Sequence, residues 1–242
     1  MHCPRIFTRQ LLITGQVIEL EAAASHHVAR VLRMITGQQI ILFNGHGGEV
    51  EAEIISTTSG GVRVNIGDWK GGQKKTPLAV HLGQVISRGE RMDYVVQKAT
   101  ELGVDAITPL FSQRCEVRLN QKRQNKRQQH WQQVAISACE QSGRCQVPTV
   151  HAPIHLTNWL KNCVAELKLV LDPYQYSSLD VQVKPTQIAL LVGSEGGFTE
   201  LEIDHALATG FHGLRVGPRI LRTETAPVTA LSILQYIWGD LS

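Results

Sequence analysis

The sequence predicts a small β domain, a barrel or curled sheet, followed by an α/β domain with a mostly parallel sheet. Three features carry that reading. Residues 1 to about 68 alternate apolar and polar positions between glycine turns, as in QQIILFN, GHGG, EVEAEIIS, TTSGG and VRVNIGDW. The stretch KGGQKKTP, residues 70–77, has no hydrophobic period and reads as a linker. Beyond it, apolar strand-like runs alternate with helical patterns, the sign of βα units. The division that follows is a first domain at 1–70, a linker at 71–77 and a second domain at 78–242.

In the first domain, SHHVARVLRM interrupts the strands with Val28, Val31 and Leu32 at helical spacing, which predicts a short helix. In the second, LAVHLGQVIS reads as a strand. The following RMDYVVQKATELG places Met92, Val95, Val96, Ala99 and Leu102 on one helical face, with Gly103 as a stop. DAITPLF is again a strand. A long helix is predicted within NQKRQNKRQQHWQQVAISACEQSGR, with Trp131, Val134, Ala135 and Ala138 as its apolar stripe. LKLVLDP, QIALLVG and GLRVG supply three buried strands. Thr199 and Glu202 have capping-box spacing for the helix ELEIDHALAT, which ends at Gly210, and a last helix runs from about Thr225 to Trp238. In such parallel sheets ligands sit at the carboxyl ends of strands.

Composition excludes several classes. The 242 residues are 43% hydrophobic and 19% charged with a net charge of +3, the balance of a soluble globular protein. Five cysteines without a CxxC pair suggest neither a disulfide framework nor a zinc ribbon, so reduced thiols and a cytoplasmic location are expected. No apolar run approaches the ~18 residues of a membrane span, and MHCPRIFTRQ lacks a signal-peptide core. His26 and His27 are adjacent and point apart, and His151 and His155 flank Pro153, so no metal site is expected.

Two loops carry the chemistry. GSEGGF lies between a strand and a capped helix, where glycines let backbone amides and carbonyls approach a ligand. It is neither GxGxxG nor a P-loop, so dinucleotide and nucleotide-triphosphate sites lack their parts. About twenty residues later GPRILRTETA combines a rigid proline, two arginines and a hydroxyl-rich helix entry. Capping explains one of its threonines but not Arg219, Arg222 and Glu224 together. Basic residues recur as well. Arg5 and Arg9, Arg30 and Arg33, and Arg88 and Arg91 come in pairs, and six cations between 114 and 127 face the single acid Glu116. Such clusters hold phosphate backbones.

Taken together, HLGQVISRGERMDYVVQKATELGV, RCEV, ACEQSGR, LLVGSEGGFTELE and GPRILRTETA resemble the ribosomal RNA small-subunit methyltransferase E family, in the SPOUT class of S-adenosylmethionine-dependent methyltransferases. PRIF and HHVARVLRM resemble its N-terminal PUA-like RNA-binding domain. The resemblance spans nearly the whole chain. It implies a SPOUT-type domain with a deep C-terminal trefoil knot, preceded by a small β-barrel PUA-like domain, and a homodimer. It also implies that Leu171, Gly193, Glu195, Gly196, Gly197, Val216, Gly217, Leu221, Arg222 and Thr223 line the S-adenosylmethionine site. The implied substrate is one uridine of small-subunit (16S) ribosomal RNA, methylated at N3 on naked RNA or the assembled 30S subunit. Two departures stand out: His2 replaces a basic residue common in the family, and Pro227 replaces a helix former.

A uridine N3 is a poor nucleophile until its proton leaves, so the site needs a base or cations facing the ring oxygens. Arg222 is the candidate stabiliser, and Glu224 or Glu195 the candidate base. Arg5, Arg9, Arg30, Arg33, Arg88, Lys122 and Arg123 are the candidate RNA contacts. Two other readings stay open: a SPOUT-class transfer RNA methyltransferase, and a non-catalytic RNA-binding protein of ribosome assembly.

Overall fold

The computed structural model describes residues 3–241 apart from 59, 72–75, 175–178, 180, 181 and 183. His2 and most of the expected linker lie outside the described residues. The chain divides into two compact units, residues 1–75 with 139–147, and residues 76–138 with 148–242. The segment 139–147 thus groups with the first unit, although it lies well beyond the linker.

The first unit is built on a five-stranded sheet in the order β1-β3-β4-β5-β2, with β1 (Arg5–Phe7), β2 (Val17–Glu19), β3 (Gln39–Phe43), β4 (Glu49–Thr58) and β5 (Gly61–Lys70). β1 pairs with β3 in parallel and the other pairs are antiparallel, with β1 and β2 at the edges. Alternation in β4 and β5 turns Val50, Ala52, Ile54, Val62, Val64 and Ile66 to one side, where they form a core with Ile6, Leu20, Ile40 and Leu42. The helix expected at 25–34 starts earlier, as α1 (Ala22–His26), and passes into a π-helical turn at His27–Val31. The wider turn breaks the 3.6-residue period, so Val28 is buried while Val31 and Leu32 face solvent at 60% and 39% exposure. Buried Ser25 ties this helix to the sheet. Its hydroxyl donates to the Leu20 carbonyl at 2.8 Å and accepts from the Val62 amide at 3.1 Å.

The second unit has a parallel sheet in the order β12-β10-β11-β6-β7-β8, with β9 also pairing to β7. The strands are β6 (Ala79–Val85), β7 (Ala106–Phe111), β8 (Thr149–Val150), β9 (Ile154–His155), β10 (Leu167–Leu171), β11 (Gln187–Val192) and β12 (His212–Leu214). Period-two alternation divides the interior. Ile188, Leu190 and Val192 of β11 point to one face, which is covered by α2 (Arg91–Glu101), α3 (Gln121–Ser142) and α6 (Thr225–Trp238). Ala189 and Leu191 point to the other, covered by α4 (Leu156–Asn162) and α5 (Glu200–Ala208). Met92, Val95, Val96 and Ala99 are buried as their spacing predicts, and Gly103 follows α2 at φ +83. Burial of Met92, Val95 and Val96 contributes about 1.5–3 kcal/mol each, and that of Ala99 about 1 kcal/mol or less. Asn120 caps α3, its side chain accepting from the Arg123 amide at 3.0 Å. Thr199 and Glu202 form the full capping box of α5. Pro227 sits in the first turn of α6, where its missing N–H costs no helical bond. The run GLRVG is only partly a strand, because β12 ends at Leu214 and Arg215 to Gly217 leave the sheet.

Candidate active site

Parallel register brings the carboxyl ends of the central strands into line, with Leu171 beside Leu214 and Val192 beside Gln84. The chain leaves these ends in segments 172–174, 193–199 and 215–224. Between them is a cleft of about 1010 Å³.

The two motif loops are stapled to one another. The Thr223 hydroxyl donates to the Gly193 carbonyl at 2.8 Å and accepts from Gln84 Nε2 at 3.3 Å. With Thr223 donating to Gly193, its 3.1 Å contact with the Ser87 hydroxyl is one in which Ser87 donates. Gln84 Nε2 also reaches the Gly193 carbonyl at 3.2 Å. Gln84 and Thr223 are buried, so this network is shielded from competing water.

The glycines have separate reasons. Gly197 takes φ +63, in the left-handed region that favours glycine. At Gly196 a Cβ would lie 3.1 Å from Arg114 Cβ and 3.2 Å from the Arg114 carbonyl. That close approach lets Arg114 hold the loop from outside, with Nη1 donating to the carbonyls of Gly196 at 3.2 Å and Phe198 at 3.0 Å.

Charge is concentrated at one wall. Arg91, the first residue of α2, donates from Nη1 to Glu195 Oε1 at 2.5 Å, and its Nε lies 3.7 Å from Glu224 Oε2. The Arg88 amide donates to the same Glu195 oxygen at 3.2 Å, while the Arg88 guanidinium pairs with Glu116. Burial pushes the Glu195 carboxyl up. Its own amide, Arg91 and the Arg88 amide outweigh that effect and hold it below the ordinary value. Arg91 is in turn shifted up, chiefly by its hydrogen bond to Glu195.

The structure gathers the expected residues unevenly. Leu171, Gly193, Glu195, Gly196 and Gly197 line the cleft, as do Val216, Gly217, Leu221, Arg222 and Thr223; Glu224 joins them. Arg9, Arg30, Arg33, Lys122 and Arg123 are exposed and are not among the residues that line the cleft. Arg5 departs from expectation. Its side chain is only 8% exposed, pairs with Glu49 and donates to the Arg144 carbonyl at 3.1 Å, so it is turned inward rather than presented to a phosphate. Arg91 and Arg114, which the sequence groups with the phosphate-binding cations, both line the cleft. Gln84 is a site residue outside the two motif loops; its signal in the sequence is a polar residue inside an apolar strand, which needs a buried partner.

Comparison with known proteins gives a consistent picture. A family model described as an RNA methyltransferase domain matches residues 74–235, and one described as an RNA methyltransferase PUA domain matches residues 20–67. The ribosomal RNA small subunit methyltransferase E of Buchnera aphidicola from Schizaphis graminum is 37% identical over 241 residues, covering 99% of this chain and 98% of its own. The Bacillus subtilis protein of the same name is 30% identical over 240 residues, covering 95% and 93%. Among solved structures, a Legionella pneumophila methyltransferase in complex with S-adenosylmethionine matches with a TM-score of 0.95 at 41% identity, over 100% of both chains. A Neisseria gonorrhoeae ribosomal RNA small subunit methyltransferase E bound to S-adenosyl methionine matches at 0.93 and 38%, again over 100% of both.

Proposed function

The chain belongs to the ribosomal RNA small subunit methyltransferase E family, and from that premise we propose that it methylates N3 of one uridine in small-subunit ribosomal RNA, with S-adenosylmethionine as donor. The observation that carries the reading is the stapling of the two motif loops by Thr223, Gly193 and Gln84 around one cleft.

The residues present fit the cofactor. A cleft of about 1010 Å³ is large enough for a nucleoside joined to an amino acid. Leu171, Val216 and Leu221 give apolar walls for a base. The glycine loop offers backbone groups, and Ser194 keeps a buried hydroxyl without a hydrogen-bond partner in the same wall. Bound there, the cofactor supplies an electrophilic methyl group on a sulfonium. The protein has to exclude water, orient the acceptor ring and manage one proton. Arg222 is exposed in the cleft wall and is the candidate that faces the negative charge of a deprotonated uracil ring. Glu224 and Glu195, on the two facing loops of the cleft, are the candidate proton acceptors.

A trefoil knot is part of the proposal. What supports it is the path of the chain: β12 adds outside β10, residues 215–222 then return across the strand ends to Gly193 and Gln84, and α6 packs on the face that carries α2. A homodimer is supported by large apolar residues left exposed on α2 and α6, Tyr94 at 45%, Ile233 at 37% and Tyr236 at 66%. For RNA the exposed cations Arg9, Arg30, Arg33, Arg88, Lys122 and Arg123 are proposed, with the first unit as the RNA-binding domain. All five cysteines are free of disulfides, in keeping with a cytoplasmic enzyme.

The test is incubation with radiolabelled S-adenosylmethionine and small ribosomal subunits from cells lacking the enzyme, followed by nucleoside analysis. Label in 3-methyluridine is expected. Label only in transfer RNA, or cofactor binding with no transfer to either RNA, would overturn the substrate.

A further inference from the structure

One guanidinium meets two carboxylates in the cleft wall, and it treats them differently. Arg91 Nη1 hydrogen-bonds Glu195 at 2.5 Å, and the Arg88 amide adds a second donor to the same oxygen. Glu224, on the opposite loop, keeps Oε2 buried and without a hydrogen bond; the Arg91 Nε contact of 3.7 Å is ionic and too long for one. A buried carboxylate oxygen lacking a donor is unfavourable in the protein alone, and such costs gather where a ligand supplies the missing N–H or O–H.

Building on the uridine reading, we propose that Glu224 Oε2 is the acceptor for the ring N–H of the target base, that Glu195 is not, and that Arg91 is the positioning residue that separates their roles. Glu195 has its near oxygen committed to two donors and is held ionised, so that oxygen is not open to a ring N–H. Glu224 keeps the charge of Arg91 nearby while its lone pairs stay open. In the step assigned to it, the ring N–H bond breaks, an O–H bond forms on Glu224, and the ring retains the electron pair. The proton afterwards passes to water. A carboxylate is a weak base towards such an N–H, so the cations facing the ring anion make the removal feasible. Among the described residues the charged partner of Glu224 is Arg91 from α2, which also holds Glu195 of the facing loop; Arg222 lies two positions before Glu224 in the cleft lining with Arg114, Arg215, Arg219, Asp172, Glu200 and Asp204, and the Arg88 guanidinium is occupied by Glu116.

The experiment compares wild type with Glu224→Gln, Glu224→Asp, Glu195→Gln, Arg91→Ala and Arg91→Lys. It measures single-turnover transfer to unmodified small subunits from pH 5 to 9, cofactor affinity by calorimetry, and carboxyl titration by carbon NMR on the protein alone. Glu224→Gln is expected to slow transfer at least about 100-fold and to remove the acidic limb of the profile, with cofactor affinity held within about 3-fold. Glu224→Asp should keep the limb at an intermediate rate, which separates lost chemistry from lost folding. Glu195→Gln should weaken cofactor binding and keep the limb. Arg91→Ala should raise the titration midpoint of the Glu195 carboxyl, with partial recovery in Arg91→Lys. The assignment is overturned if Glu224→Gln retains the acidic limb or a rate within about 3-fold of wild type, or if Glu195→Gln is the variant that loses the limb. Failure of wild type to label uridine would remove the functional reading itself; the Glu195 titration, which needs no substrate, tests the hold of Arg91 on that carboxyl independently.

Discussion

Thr223 and Gly193, thirty positions apart in sequence, are joined by a 2.8 Å hydrogen bond that closes one wall of the cleft on the other. Thr223→Val keeps the shape but removes the donor to Gly193 and the acceptor for Gln84 and Ser87. Leaving such buried groups unpaired costs about 1–3 kcal/mol. The expected outcome is a lower melting temperature, by about 2–4 °C for each kcal/mol, together with weaker S-adenosylmethionine binding, both recovered in Thr223→Ser. Unchanged calorimetric affinity in the valine variant would show that the staple does not shape the cleft.

Gly196→Ala places a methyl group 3.1 Å from Arg114 Cβ and 3.2 Å from the Arg114 carbonyl, so the loop has to shift. Overpacking of this kind costs about 1–3 kcal/mol, which, if expressed in binding, is a loss of cofactor affinity of roughly 5- to 150-fold. Gly217→Ala, at φ +72 with open space around its Cβ, adds only backbone strain and should cost less. Calorimetry on the two variants checks the order.

Lys122 and Arg123 are exposed at the start of α3 and form no ion pair among the described residues. Replacing both with alanine should weaken RNA binding across sequences and flatten the dependence of log affinity on log salt by about 1–2. Cofactor affinity should not move. An unchanged salt slope in filter binding would take this end of α3 out of the RNA surface.

His81 gives the protein an acid sensitivity unrelated to the cleft. Its imidazole is bonded to the Thr108 hydroxyl at 2.8 Å and stacks near His151 with centroids 5.5 Å apart. Burial first, and His151 second, push its pKa down from 6.5 to about 4. With the folded value below the unfolded one, the unfolded chain binds the extra proton between those two pH values. Stability from this group is therefore full above about pH 6.5 and falls as pH drops towards 4, by an amount on the order of 3 kcal/mol. Melting temperature against pH should show the slope in wild type and a flatter line in His81→Gln; parallel lines would refute the assignment.

Much of this was legible in the sequence because it is written in local patterns. The α2 stripe from Met92 to Ala99, the Thr199–Glu202 box and the two motif loops each depend on residues within a turn or two of one another. What was not legible depends on distant partners. Arg5 reads as a surface cation until Glu49 and Arg144 are seen beside it, and Arg91 reads as one until Glu195 is. Short elements escaped for another reason: α4 has seven residues and β8 two, too few for a period to register. The π turn at His27–Val31 defeated the helical spacing by adding a residue to it.

The interrupted make-up of the first unit sets the order in which the molecule can be completed during synthesis. When residue 75 leaves the ribosome, the five strands are present. The Phe7 amide still lacks Glu140, and Arg5 still lacks the Arg144 carbonyl. Both arrive only as the segment up to residue 147 is translated, and at about 5–20 residues per second residues 76–147 take roughly 4–14 seconds. The nascent N-terminal sheet waits through that interval with two long-range partners of its edge strand β1 missing, so that edge is the last part of the unit to be completed.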